Sequence, residues 1–88
     1  FPIRVNKNSP LTRNEIVKGL NAKNIGTRLL FGSNLIKQPA YDKVSFRKVG
    51  DLTNTNIILH HVFWLGVTPL LTKEELSFIS KSLSELLS

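Results

Sequence analysis

Hydrophobic positions along this chain switch between two spacings, and the switches mark the elements. Residues 1–5, "FPIRV", are apolar and β-branched and predict a strand. "KNSP" is turn chemistry. Ile16, Val17 and Leu20 then fall on one face of a helix that runs to about residue 23. Thr12 and Glu15 in "TRNE" match a capping box, in which hydroxyl and carboxylate each meet an otherwise unpaired backbone N–H. Asn24 suits a left-handed turn, and Ile25 can fold back under the helix end. "TRLLF", residues 27–31, predicts a second strand. Alternation puts Arg28 and Leu30 on one face, and Leu29 and Phe31 on the other, which suits a helix layer.

"SNLIKQPAY" reads as a loop or a single turn, and residues 42–50 as an exposed loop. "DLTNTNIILHH" predicts a short helix capped by Asp51 or Thr53. "VFWLGV" predicts a third strand. A last helix begins at a second capping box, Thr72 with Glu75, and carries one apolar stripe: Leu76, Ile79, Leu83 and Leu86. Three strands with helices between them imply an α/β or α+β fold. Strands 1–5, 27–31 and 62–66 should form one small sheet, with the helices that start at Thr12 and Thr72 packed on the same face.

The 88 residues set a prior of one domain, residues 1–88, with marginal stability. The start at "FPIRV" without Met reads as a fragment cut from a longer protein. There is no cysteine, so no disulfide or thiolate metal site lies in this segment. No apolar run approaches the length of a membrane span. Twelve Lys and Arg against six Asp and Glu give a net charge of +6, which raises the question of nucleic acid. The basic residues are dispersed, and no aromatic ladder is interleaved with them as a stacking platform requires. A solvated basic face accounts for them better.

No catalytic set is visible. Gly26, Gly32 and Gly50 are isolated and form no phosphate loop. His60 and His61 are adjacent, so on a helix they point about 100° apart and cannot chelate one metal as an i, i+4 pair does. One should lie on the surface and one against the sheet. Glu74 and Glu75 open a helix, where negative charge suits the dipole. Trp64 in its β-rich setting reads as core rather than as a ring that stacks on a ligand. The unusual stretch is "TRLLFGSNLIKQP", where an arginine precedes bulky apolar residues and polar residues follow. It reads as the lip of a polar pocket on a hydrophobic base. Asn34 and Gln38 also suit the plainer role of closing a turn.

"IGTRLLFGSNLIKQPAY", "VGDLTNTNIILHHVFWLGVTPLLTKEEL" and "FPIRV" together resemble the C-terminal small domain of the DegT/StrS-type sugar aminotransferases, a branch of the fold-type I pyridoxal phosphate enzymes. The likeness covers nearly the whole chain. Within the family it leans to the 3-dehydrases of lipopolysaccharide O-antigen synthesis. Sugar aminotransferases of the family commonly carry a His two residues before the Gln–Pro pair, where this chain has Ile36. Thr68, Pro69 and Leu70 depart from the dehydrase pattern, as do His60 and His61.

The resemblance implies a cytoplasmic nucleotide-sugar enzyme, homodimeric when complete, with a large domain in the same chain. That domain would hold pyridoxal or pyridoxamine phosphate, with a His in place of the usual Lys in the dehydrase. It would also hold the cysteines of any 2Fe–2S cluster fed by a reductase partner. The segment here would close the substrate side, with Arg28 toward the nucleotide-sugar phosphates and Asn34 and Gln38 toward sugar hydroxyls. Arg28 alternatively serves structure, paired with Asp51 or a backbone carbonyl. Catalytic and metal residues are expected nowhere in the segment, so the segment alone should be inactive. The rival classes are an aminotransferase of the same family, a small basic binding module, and a dimerisation domain built on the last helix.

Overall fold

The computed structural model describes residues 1–88 as three α-helices around a three-stranded antiparallel sheet, an α+β arrangement. Strand β1 is Pro2–Arg4, helix α1 is Arg13–Ala22 and strand β2 is Thr27–Leu29. Helix α2 is Thr53–His61, strand β3 is Val62–Leu65 and helix α3 is Lys73–Leu87. The strand order is β1-β3-β2. The sheet is thus a split β-α-β unit, with β3 inserted antiparallel between the two earlier strands. No helix is long and apolar enough to cross a membrane.

The ends of α1 follow from local chemistry. Glu15 N–H donates to Thr12 Oγ1, while Thr12 N–H donates to Glu15 Oε2 at 2.8 Å, so the box closes in both directions. At the other end Asn24 takes φ 60° and donates to Asn21 O, and Ile25 N–H donates to Leu20 O at 3.0 Å. This is a Schellman ending, and Ile25 and Leu20 meet in the core as its hydrophobic contact. Helix α3 opens with the matching box of Thr72 and Glu75.

Register decides which face each strand residue takes. Ile3 pairs with Phe63, and Leu29 with Phe63 on the other side. Directly paired residues share a face, so Ile3, Phe63 and Leu29 point one way. Pro2, Trp64 and Arg28, the next row, point the other way. The Phe63 face is covered. Phe63 is fully buried and clusters with Val5, Ile16, Leu20 and Ile25, and Ile79, Leu83 and Leu86 of α3 pack against them. Helices α1 and α3 therefore lie on one face of the sheet, as their stripes require. Gly19 permits their close approach, since a Cβ there would overlap Leu86. Lys23 Nζ donates to Glu85 Oε2 at 2.5 Å and ties the same two helices.

The structure corrects the sequence reading at several points. The second strand ends at Leu29, two residues early, because Phe31 and Ser33 adopt φ 48° and 50°. Leu29 is consequently 47% exposed at the sheet edge, and Phe31, 82% exposed, leaves the strand altogether. Leu29 keeps the helix-side face that the alternation predicts, at the margin of the layer, whereas Phe31 does not belong to it. Trp64 does not belong to the buried core: register turns it to the uncovered face, half-buried. Arg28 makes no pair with Asp51; its Nη1 donates to the carbonyl of Thr27 at 3.2 Å. Asp51 instead accepts the Thr53 N–H at the start of α2. Leu76 of the predicted stripe is 53% exposed, while Ser82 on that face is buried. His60 is exposed and His61 half-buried, and the His61 carbonyl accepts the Val5 N–H.

Candidate functional site

Beyond Leu29 the chain winds through two short 3-10 turns, Leu35–Lys37 and Pro39–Tyr41, before an exposed stretch over residues 42–50. Two side-chain contacts fold this loop back. Gln38 Nε2 donates to the Gly32 carbonyl at 3.2 Å, closing a ring over residues 32–38. Gly32 leaves room for this closure, since a Cβ there would displace the Gln38 amide. Asn34 is only 3% exposed, and its Nδ2 donates to Asn56 Oδ1 at 2.8 Å, which ties the loop to α2. The Ser33 hydroxyl donates to the Leu30 carbonyl at 2.6 Å. The polar residues of the lip thus hold the loop together, and Phe31 projects from it.

Phe31 meets Trp64. Their ring centroids lie 5.6 Å apart with planes at 86°, an edge-to-face pair. Arg28 lies across the ladder from Trp64 on the same uncovered face. Beside them is a hollow of about 410 Å³, lined by Gly26, Thr27, Arg28, Trp64, Leu65 and Gly66. That volume falls within the ~300–1,000 Å³ of small-molecule sites. Its floor is backbone: Cβ atoms added at Gly26 or Gly66 would meet nothing within 4 Å. Its one charge is the Arg28 guanidinium. Arg28 forms no ion pair; the salt bridges join Glu85 to Lys23 and Lys81. Arg4, also exposed, stands on the same face two rows away.

Chemically this arrangement brings no reacting pair together. No carboxylate, imidazole or hydroxyl–base pair lines the hollow, so no proton donor and acceptor face one another there. The carboxylates held below their usual range serve other ends. Hydrogen bonds from Thr12 lower Glu15, those from Thr53 lower Asp51, and the ammonium of Lys23 lowers Glu85. No group of three or more His, Cys, Asp or Glu is placed to hold a metal. Nor do the residues suit pyridoxal phosphate or an iron–sulfur cluster. The chain has no cysteine, and its lysines are exposed apart from Lys23, which is occupied by Glu85.

Of the three residues singled out in the sequence, Arg28 lines the hollow. Asn34 is buried behind the loop and Gln38 is half-buried within it. Sequence reasoning missed Trp64 and Phe31. "VFWL" has no polar partner to show which face each residue takes, so only the ladder register reveals Trp64. It also missed Arg13, whose Nη1 donates to the Leu59 carbonyl at 2.6 Å and serves the C-terminal end of α2.

A larger cavity, about 510 Å³, lies between β1, the β3–α3 connection and α3. Phe1, Val67, Leu71 and Leu76 are among its lining, and no charged side chain takes part, so it offers no anchor for an ionic ligand.

Comparison with known proteins places this geometry in context. The model of the DegT/DnrJ/EryC1/StrS aminotransferase family matches residues 1–84. A curated relative, the lipopolysaccharide biosynthesis protein RfbH of Salmonella typhimurium, is 46% identical over 85 residues, covering 97% of this chain and 20% of its own length. The dTDP-4-dehydro-2,6-dideoxy-D-glucose 3-dehydratase of Saccharopolyspora spinosa is 38% identical over 85 residues, covering 97% of this chain and 18% of its own. The chain thus spans about a fifth of the length of these relatives.

Proposed function

The chain belongs to the DegT/DnrJ/EryC1/StrS aminotransferase family, and from that premise we propose that it is the substrate-facing small domain of a nucleotide-sugar 3-dehydrase. The reading extends to a cytoplasmic, homodimeric enzyme that uses pyridoxal or pyridoxamine phosphate. Its substrate is CDP-4-keto-6-deoxyglucose, on the route to a lipopolysaccharide dideoxysugar. The cofactor, any 2Fe–2S cluster and the reductase that feeds it are assigned to residues outside this chain. Arg28 makes the direct contact with substrate, and Asn34 and Gln38 hold the loop that frames it.

The observation that carries this reading is the unpaired Arg28 guanidinium on the rim of an uncovered hollow. A planar guanidinium binds a diphosphate through two parallel hydrogen bonds, which a lysine cannot do. The names of the two relatives support sugar chemistry, and one of them names dehydration at C3. The surface supports the larger frame. Only 8 of 88 residues are buried, and the radius of gyration is 15.8 Å. A compact chain of this length has a radius of about 12 Å. Phe1, Val67, Leu70 and Leu76 are more than half exposed, as suits a piece that packs on more protein.

The test is to express the complete reading frame that carries this chain and supply CDP-4-keto-6-deoxyglucose with pyridoxamine phosphate and a reductant. Loss of the C3 hydroxyl is expected. An aminated sugar formed from glutamate instead would make the protein an aminotransferase of the same family, as would a Lys in the cofactor-facing position. No turnover by either route overturns the proposal.

A further inference from the structure

We propose that the hollow beside Trp64 is a nucleobase subsite, in which the base stacks on the indole over the bare Gly26–Gly66 backbone and the diphosphate reaches Arg28. This rests on the nucleotide-sugar reading above and adds residues to it. Four observations converge. Trp64 is an aromatic side chain left off the helix-covered face, and it forms one wall of the hollow. Phe31 stands against it edge-on and fixes the ring, although fixing it costs a non-glycine residue a left-handed backbone, φ 48°.

The floor supplies the third observation. Gly66 follows β3 and Gly26 precedes β2, so both lie two residues beyond Trp64 and Arg28, on the same face. Neither takes a left-handed φ, and neither has a neighbour where its side chain would be. Their backbones therefore do not demand glycine. What the absent side chains leave is a flat shelf beside an aromatic wall, the shape a planar ring occupies. The fourth is charge. Arg28 sits directly across from Trp64, so a ligand stacked on the indole brings its phosphates to the guanidinium.

Trp64 is the sole tryptophan of these 88 residues, so its emission in the complete protein is the part that Trp64→Leu removes. CDP and inorganic pyrophosphate are titrated into the complete protein that carries this chain, with that emission and calorimetry as readouts. CDP should quench the emission saturably, and pyrophosphate should bind without quenching. Trp64→Leu should weaken CDP about 5- to 150-fold, the range that stacking one base on an aromatic side chain commands. It should leave pyrophosphate unchanged. Gly66→Ala and Gly26→Ala should keep the urea midpoint and selectively weaken CDP. If either variant loses stability, the other decides. If CDP binds no better than pyrophosphate and leaves Trp64 unquenched, the base subsite is wrong while the anion site at Arg28 stands. If neither binds, both fail.

Discussion

Asn34 and Asn56 are joined side chain to side chain at 2.8 Å across 22 residues of sequence, and this bond fastens the loop after β2 to helix α2. Asn34 is almost wholly enclosed. Removing its amide leaves the Asn56 oxygen without that donor, so Asn34→Ala should cost about 1 to 3 kcal/mol. A double-mutant cycle with Asn56→Ala, read by urea midpoints, should return a coupling of at least about 0.5 kcal/mol. Additive losses would show that the bond does not hold the loop.

Arg28 should behave oppositely. It is exposed, and its one hydrogen bond is to its neighbour's carbonyl. Arg28→Ala should therefore shift stability by no more than about 0.5 kcal/mol. A lost charge-assisted hydrogen bond to substrate is worth about 1.5 to 3 kcal/mol, roughly 10- to 150-fold in binding. In the complete enzyme kcat/KM should fall by such a factor. A collapsed urea midpoint with intact kinetics would make Arg28 a structural residue.

The 88-residue chain should show no turnover of a CDP-sugar. The hollow holds no nucleophile, base and orienting group in contact. Product formed by the purified chain, free of any longer enzyme, would contradict this.

Stability should decline on acidification. Glu15, Asp51 and Glu85 all have folded-state pKa values below their ordinary ones. A depressed carboxylate stabilises the fold above its unfolded pKa, and that contribution disappears as pH falls through the folded value. Urea midpoints should thus hold steady near neutrality and drop below about pH 5. Glu15→Gln should flatten part of that slope. Added salt should weaken the contribution of Glu85, whose partner Lys23 binds it at the surface, more than that of the capping carboxylates.

What the sequence showed was local. Both capping boxes and the Asn24–Ile25 helix ending appear where "TRNE", "TKEE" and "KNI" predicted them, because each depends on residues three to five apart. The loop was less legible. Phe31, Ser33 and Leu52 all take positive φ without being glycine, and no residue type announces that. The site was legible only in its charge. Arg28 was visible as an arginine out of place, whereas its partner across the ladder depended on pairing β2 with β3, some 35 residues apart. Asn34 drew notice for its polarity, and the structure gives that polarity to Asn56.

The central place of β3 has a consequence for how the fold is reached. β1 and β2 touch β3 and not each other, so neither has a strand partner until residues 62–65 exist. On a ribosome the first two strands must wait, and so must the full stability of α1, a helix of 10 residues whose Ile16 and Leu20 pack with Phe63 of β3. Both ladders, and with them the row Pro2–Trp64–Arg28, can close only once β3 has emerged. A nascent chain stalled before residue 62 would lack this sheet.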